Sequence, residues 1–258
     1  MAEGASVRGR RPPQGEPVLD RAFRMLSCFS PADRSLSLTS LALRADLPKA
    51  TASRIARKLV EWGALERDAD GDFTIGLGLL EIASLAPRGH GLRATALPFM
   101  EDLHHATGQH VLLAVRDGLE AVLIERLSAR GAGRVMYRVG GRMPLHSTGV
   151  GLALLAYAPA QVQNEIAEGD LLLSPEQVGM SAADLRSRLA AVRREGVAVV
   201  ARPYPEPMTS IAAAIIDCRR ESVAAVSVVT RSAGVEAAAL TPALIAVARS
   251  ISRAVVRG

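Results

Sequence analysis

Aromatic side chains are scarce in this 258-residue chain: four Phe, three Tyr and one Trp. It offers no aromatic stacking box for a ligand, and its buried cores must be built from Ala, Leu and Val. Cysteine is nearly absent. Cys28 and Cys218 stand alone with no CxxC spacing, which argues against a disulfide scaffold or a zinc ribbon and suits a reducing cytoplasm. His104, His105 and His110 make no HxxxH pair and no HExxH occurs, so no metal site is expected. No uncharged apolar run reaches membrane-spanning length. Arg8, Arg10 and Arg11 lead into Pro12 and Pro13, not into an apolar stretch, so no signal peptide is expected. These absences point to a soluble cytoplasmic protein, away from any membrane and without a cofactor.

Catalytic patterns are missing as well. His146-Ser147 lies beside Gly149-Val150-Gly151, but this is not GxSxG, and adjacent loop residues rarely aim at each other. Gly149-x-Gly151 lacks the third glycine of a dinucleotide fingerprint. Paired carboxylates in a credible cleft are not evident, so the chain is not expected to be an enzyme. What is present is hydrophobic content of 49%, ample for buried cores, and a length that favours two domains. The formal net charge of +5 favours a polyanionic partner without identifying it.

The chain is organised around Leu47 to Gly63. Ala52, Ile55, Ala56, Leu59 and Val60 recur at helical spacing and define one buried stripe. Lys49, Thr51, Ser53, Arg54, Arg57 and Lys58 fill the rest of the surface, with no acid before Glu61. Pro48 suits a helix start and Gly63 a helix end. A helix of about 20 Å results at 1.5 Å per residue. Such a helix fits the DNA major groove, with basic groups on phosphates and its first turn near base edges. Charge pattern alone equally describes a solvated surface helix, and the flanking sequence decides.

Residues 1–16, rich in Gly, Pro and Arg, read as a disordered arm. Leu19, Ala22, Phe23, Leu26 and Phe29 then give a first helix ending before Pro31. Ser37 caps a second helix from Leu38 to Ala45, and Asp46-Leu47 turns tightly into the Lys49 helix. That is a helix-turn-helix. Ala64 to Arg67 and Phe73 to Ile75 flank the Gly/Asp-rich turn Asp68 to Asp72, making a hairpin that reads as a wing. Its acidic tip leaves Arg67 as the one good phosphate partner there, and a stabilising role for the wing is equally open.

The run from Ser37 to Ala83 resembles the winged helix-turn-helix of the IclR (isocitrate lyase regulator) family of bacterial transcription regulators. Leu47, Pro48, Lys49, Thr51, Arg54, Leu59, Gly63, Arg67, Gly71, Phe73 and Gly76 occupy its motif. The resemblance implies DNA reading by Lys49, Thr51, Ser53, Arg54 and Arg57. Ala50 departs from it, standing where Ser is common.

The expected fold class is α+β in two domains: a winged helix-turn-helix over 17–77, a linker helix over 78–91, and an effector-binding domain over 92–258. Leu77, Leu79, Leu80, Ile82, Ala83 and Leu85 form the linker, ending near Pro87-Arg88-Gly89. Its apolar surface packs on a partner subunit, as the resemblance implies, or within its own chain. Helix resumes from Leu92 to Thr107. Val111 to Val115, Ala121 to Arg126 and Arg134 to Val139 read as strands. The loop Arg142 to Gly151, rich in glycine and hydroxyls, leads into a helix over Leu152 to Ala158. Its open N–H groups can hold an anion. Further helices span Pro159 to Glu168 and Ser181 to Glu195. Strands follow at Val197 to Ala201, Ser210 to Ile216 and Val223 to Val229, and Thr241-Pro242 opens a last helix.

The segments PLHSTGVGLALLA and TSIAAAIID resemble the family's GAF-like effector-binding domain. Carried over by position, Gly149 and Val150, with His146, Ser147 and Thr148 in the same loop, form one wall of an effector site. Ser210, Ile211 and Ser227 form the other. Leu152 stands where a basic residue is common, and Ala214 where Pro is frequent. Arg202-Pro203-Tyr204-Pro205 replaces the usual acid-rich segment. Arg202 either pairs a ligand carboxylate or only reshapes the rim. The implied function is DNA binding at a near-palindromic operator by a homodimer or homotetramer, controlled by a small organic acid. The competing possibility is an architectural DNA binder whose C-terminal domain only oligomerises. The sign of regulation is not readable.

Overall fold

The computed structural model describes residues 16–86, 91–169, 180–202, 206–233 and 236–257. Apart from Glu16, the arm expected over 1–16 lies outside them. So do the expected linker end at 87–89 and rim residues 203–205. The chain divides into two compact units that meet in sequence at Ala86 and Pro87.

In the first unit, α1 (Val18–Leu26), α2 (Leu38–Arg44) and α3 (Lys49–Glu61) enclose Met25, Leu41, Ala52, Ile55, Ala56, Leu65 and Phe73. The apolar stripe of α3 faces this core, with Ala52, Ile55 and Ala56 buried and Leu59 and Val60 half-buried. Ser37 caps α2, its Oγ accepting the Ser40 N–H at 3.1 Å. Asp46 makes the α2–α3 turn at φ 48°, a conformation Asp tolerates. The wing has β2 (Leu65–Arg67), β3 (Phe73–Ile75) and a third strand the sequence did not reveal, β1 (Ser35–Leu36), which pairs antiparallel with β3. Two residues are too few to show an alternating pattern. Helix α4 (Leu77–Ser84) follows, exposing Leu77, Leu80 and Ile82, with Leu85 just beyond its end.

The second unit is built on an antiparallel sheet of six strands in the order β6-β5-β4-β9-β8-β7. The strands are β4 (His110–Asp117), β5 (Glu120–Leu127), β6 (Arg142–Pro144), β7 (Ala198–Arg202), β8 (Met208–Ile216) and β9 (Ser222–Arg231). Helices α5 (Leu92–Thr107) and α9 (Ala237–Arg257) cover one face. On the other lie α6 (Gly149–Ala156), α7 (Ala160–Glu168) and α8 (Ala182–Glu195). Period-2 alternation assigns Val111, Leu113 and Val115 to the α5/α9 core and Leu112 and Ala114 to the α6 core. The capping box at Ser181 and Asp184 starts α8 as its sequence indicates.

Three expectations need correction. Residues 134–139 are not a strand; the third strand of this region is Arg142–Pro144. The Gly140 amide donates to the Leu123 carbonyl, and the Arg126 side chain, not a ladder, holds the Tyr137 carbonyl at 2.9 Å. Helix α6 begins at Gly149, not Leu152, because Thr148 is its cap. Helix α9 begins at Ala237, with Pro242 inside it. Pro has a helical φ and forfeits one backbone bond there, while the Thr241 hydroxyl donates to the Ala237 carbonyl at 2.8 Å. By length and composition α9 is apolar enough to cross a membrane, and it buries Leu240, Leu244, Ala248 and Ile251 against the protein.

Candidate functional site

Lys49, Ser53, Arg54, Arg57 and Lys58 are exposed on α3, and Thr51 is half-buried. Their charges are not equally available. Lys58 Nζ lies 2.6 Å from a Glu61 carboxylate oxygen, and Arg57 Nε lies 4.0 Å from the other. The Lys58 bond holds the Glu61 carboxyl below its ordinary range. Lys49 and Arg54 make no ion pair among the described residues, so the first two turns of α3 present the open positive charge. Arg67 is turned back on the wing: it donates to the Gly71 carbonyl, and its guanidinium lies 4.3 Å from the Phe73 ring centroid. Beside it, Asp68 accepts from the Ser35 hydroxyl and from the Asp70 and Asp72 amides, which depresses its pKa and keeps the wing tip anionic.

Glycines join the end of α3 to α4. Gly63 has φ +68°, which closes α3 in the left-handed region. A β-carbon on Gly76 would fall 2.2 Å from the Gly63 carbonyl oxygen, and one on Gly78 would fall 2.8 Å from it. The Gly78 amide donates to that same oxygen at 3.0 Å. This contact explains why glycine is needed after the wing.

The second unit contains a cavity of ≈ 670 Å³ between the sheet, the start of α6 and the irregular segment 134–137. Seven of the nine residues anticipated for an effector line it: Ser147, Thr148, Gly149, Val150, Arg202, Ser210 and Ser227. Ile211 does not. It follows Ser210 on β8 and therefore points through the sheet into the α5/α9 core, fully buried. His146 is buried beside the loop and is not among the lining residues. Thr148 donates to the Pro144 carbonyl at 2.8 Å and accepts the Gly151 N–H at 3.1 Å. Its hydroxyl is used in capping, and Gly149 and Val150 supply the remaining open N–H groups of the first turn. A β-carbon on Gly149 would lie 2.5 Å from Ser210 Oγ, so α6 approaches the sheet as closely as glycine permits.

Sequence reasoning missed part of this wall. Arg134, Val135, Met136 and Tyr137 line it, but their alternation resembles a strand. Arg188, on the polar face of α8 among Arg186, Arg193 and Arg194, had nothing to single it out. Arg202 donates to Met136 Sδ at 2.7 Å and to the Tyr137 hydroxyl at 3.4 Å. Glu206 is bound by Arg231 at 3.0 Å. Among the described residues no group of three or more His, Cys, Asp or Glu could hold a metal ion.

Comparison with known proteins matches both units of the chain. The IclR helix-turn-helix domain matches residues 18–69, and the bacterial transcriptional regulator IclR C-terminal domain matches residues 86–253. The glycerol operon regulatory protein of Streptomyces coelicolor is 32% identical over 244 residues, covering 93% of this chain and 94% of that protein. The HTH-type transcriptional repressor AllR of Escherichia coli is 31% identical over 232 residues, 86% of each chain. An IclR homologue from Microbacterium hydrocarbonoxydans, solved with 4-hydroxybenzoate, superposes with a TM-score of 0.84 at 30% identity, over 94% of this chain and all (100%) of that one. The Thermotoga maritima IclR shares the fold, with a TM-score of 0.76 at 24% identity over 91% and 97% of the two chains. These relatives are regulators, not enzymes. With both of its units matched by the family's domains, the chain belongs to the IclR family of bacterial transcriptional regulators.

Proposed function

We propose that this regulator binds a near-palindromic operator in the cytoplasm as a homodimer or homotetramer, and that a small carboxylic acid in the cavity of the second unit controls that binding. Lys49, Thr51, Ser53, Arg54 and Arg57 approach the bases and phosphates. Lys58 and Arg67 contribute less, because each is engaged within the protein. Two copies of α3 in successive major grooves set half-sites ~34 Å or a multiple apart. The exposed Leu77, Leu80, Ile82 and Leu85 around α4 support an assembly of more than one chain.

The cavity is the observation that carries the effector reading. Its volume falls within the ~300–1,000 Å³ of small-molecule sites. Arg134, Arg188 and Arg202 line it against the single carboxylate of Glu206 among the described residues. That balance favours an anionic ligand, and the Microbacterium protein's 4-hydroxybenzoate is an aromatic carboxylate. The ligand prefers one arrangement of the subunits and so shifts operator affinity, by repression or activation alike.

The test is a thermal-shift screen of carboxylic acids and small aromatics. A ligand at 100 times its Kd stabilises by about 2.7 kcal/mol. A hit that Ser210→Leu eliminates supports the effector site. A blank panel with intact, salt-sensitive operator binding favours an architectural protein instead.

A further inference from the structure

The cavity wall that runs from Arg134 to Tyr137 is not part of any strand ladder. Among the described residues, none over 129–137 shares a backbone hydrogen bond with the sheet. Side chains hold the stretch instead. At its far end the Arg126 guanidinium donates to the Tyr137 carbonyl at 2.9 Å. In its middle a Glu206 carboxylate oxygen accepts the Arg134 amide at 3.2 Å. Its near end is held by His110, the first residue of β4, which is only 4% exposed.

The His110 ring bonds both ends of the loop 129–133. Its Nδ1 accepts the Ala129 N–H at 3.1 Å and so carries no proton, which leaves Nε2 to donate to the Gly133 carbonyl at 2.9 Å. Gly133 passes this hold on to the cavity. It has φ +94°, and a β-carbon on it would lie 2.5 Å from Sδ of Met208, a lining side chain. The wall begins one residue later, at Arg134.

Only the neutral imidazole can make both bonds. A second proton must go on Nδ1, where it meets the Ala129 N–H; the acceptor becomes a donor and that bond is lost. The groups around the ring do not compensate. Arg126 on β5 and His104 on α5 both work against a positive charge there, Val229 flanks the ring on β9, and the Gly133 carbonyl alone favours the cation. A charged ring gains water only when the loop lifts away. We propose that His110 is a proton-operated latch on the cavity wall. Neutral, it fastens 129–133 to β4 and holds 134–137 in place; protonated, it releases both while the sheet stays folded. Ligand binding then weakens in acid. That consequence rests on the effector reading above, and the latch itself does not.

Amide hydrogen exchange of the full chain at pH 7.5 and 5.0, corrected for the intrinsic rate at each pH, tests it. Protection over 129–137 should fall at least about threefold at pH 5.0, while Ala224 to Val228 in the core of β9 keep theirs. Gln at position 110 can donate and accept through an amide that does not titrate. His110→Gln should therefore protect 129–137 equally at both pH values, and His110→Ala should lose that protection at both. Glu206, the other titratable partner of the wall, is present in all three proteins, so a loss shared with His110→Gln is not the latch. Nitrogen NMR of the histidine rings in the unaltered protein needs no variant: His110 should be the Nε2–H tautomer at pH 7.5, and Nδ1 should gain its proton in step with a shift of the Ala129 amide. Protection that is independent of pH, that falls equally in β9, or that falls equally in His110→Gln overturns the proposal, as does an Nδ1–H tautomer at pH 7.5. The effector reading fails separately, when no compound of any class changes operator binding.

Discussion

Gly76 packs against Gly63 so closely that a β-carbon at position 76 would meet the Gly63 carbonyl oxygen at 2.2 Å and the Leu65 carbonyl carbon at 3.1 Å. Both obstacles are backbone and cannot rotate away. Gly76→Ala should therefore destabilise the first unit by at least ~1–3 kcal/mol, the usual cost of overpacking. Gly91→Ala is the control. A β-carbon there meets nothing within 4 Å, and φ is −63°, so stability should hold or rise slightly. Thermal melting of the two variants distinguishes them, and equal melting temperatures would contradict the tight junction.

Arg54 and Lys58 both lie on α3, but only Lys58 has a carboxylate at 2.6 Å. Arg54→Ala should cost operator binding roughly 1–3 kcal/mol if Arg54 reads a base, and Lys58→Ala markedly less. Fluorescence anisotropy over a salt series measures both. A phosphate contact at position 54 would instead lower the salt slope by about one and weaken all sequences alike. Unchanged binding in Arg54→Ala removes it from the interface.

The α6–sheet contact gives a third expectation. Ser210→Leu places an alkyl group where Gly149 leaves room only for a hydroxyl. Ligand-induced thermal shift should disappear while operator affinity without ligand is retained. A full ligand response in this variant would displace the site.

His110 is buried. Its Nε2 donates to the Gly133 carbonyl at 2.9 Å, and its Nδ1 accepts the Ala129 N–H at 3.1 Å. Desolvation by burial lowers its pKa below the ordinary 6.5; the Gly133 carbonyl opposes the shift, while Arg126 and His104 add to it. With the folded value depressed, the unfolded chain takes up the proton first. The stabilisation is full above pH 6.5 and is lost as pH falls below it toward the folded value. The melting temperature should drop on acidification from neutral pH, and His110→Gln should flatten part of that drop. An identical pH profile in the variant would show that another group dominates.

Local chemistry made much of this legible. The α3 stripe, the Ser37 and Ser181 caps, and the turn residue Gly63 each act within a few residues of themselves. Strand β1 was not legible, because two residues carry no period and its pairing with β3 depends on a partner 37 residues or more away. The start of α6 was obscured by two glycines, whose low helix propensity is overridden by the Thr148 cap and complete burial of the helix. In the cavity, the family resemblance, not any local pattern, indicated Ser210 and Ser227, and strand alternation turned Ile211 away. Arg134 and Arg188 join the cavity only through tertiary packing, which no local pattern records.

The coupling between ligand and DNA is most directly measured by anisotropy titration of a labelled operator, selected from a random-sequence pool, with and without a saturating acid identified by thermal shift. The operator Kd should move by about 5–150-fold on adding the acid, the usual range of coupling between sites, and Ser210→Leu should hold it fixed. An acid that raises the melting temperature of the protein yet leaves operator Kd unchanged would contradict ligand control of DNA binding.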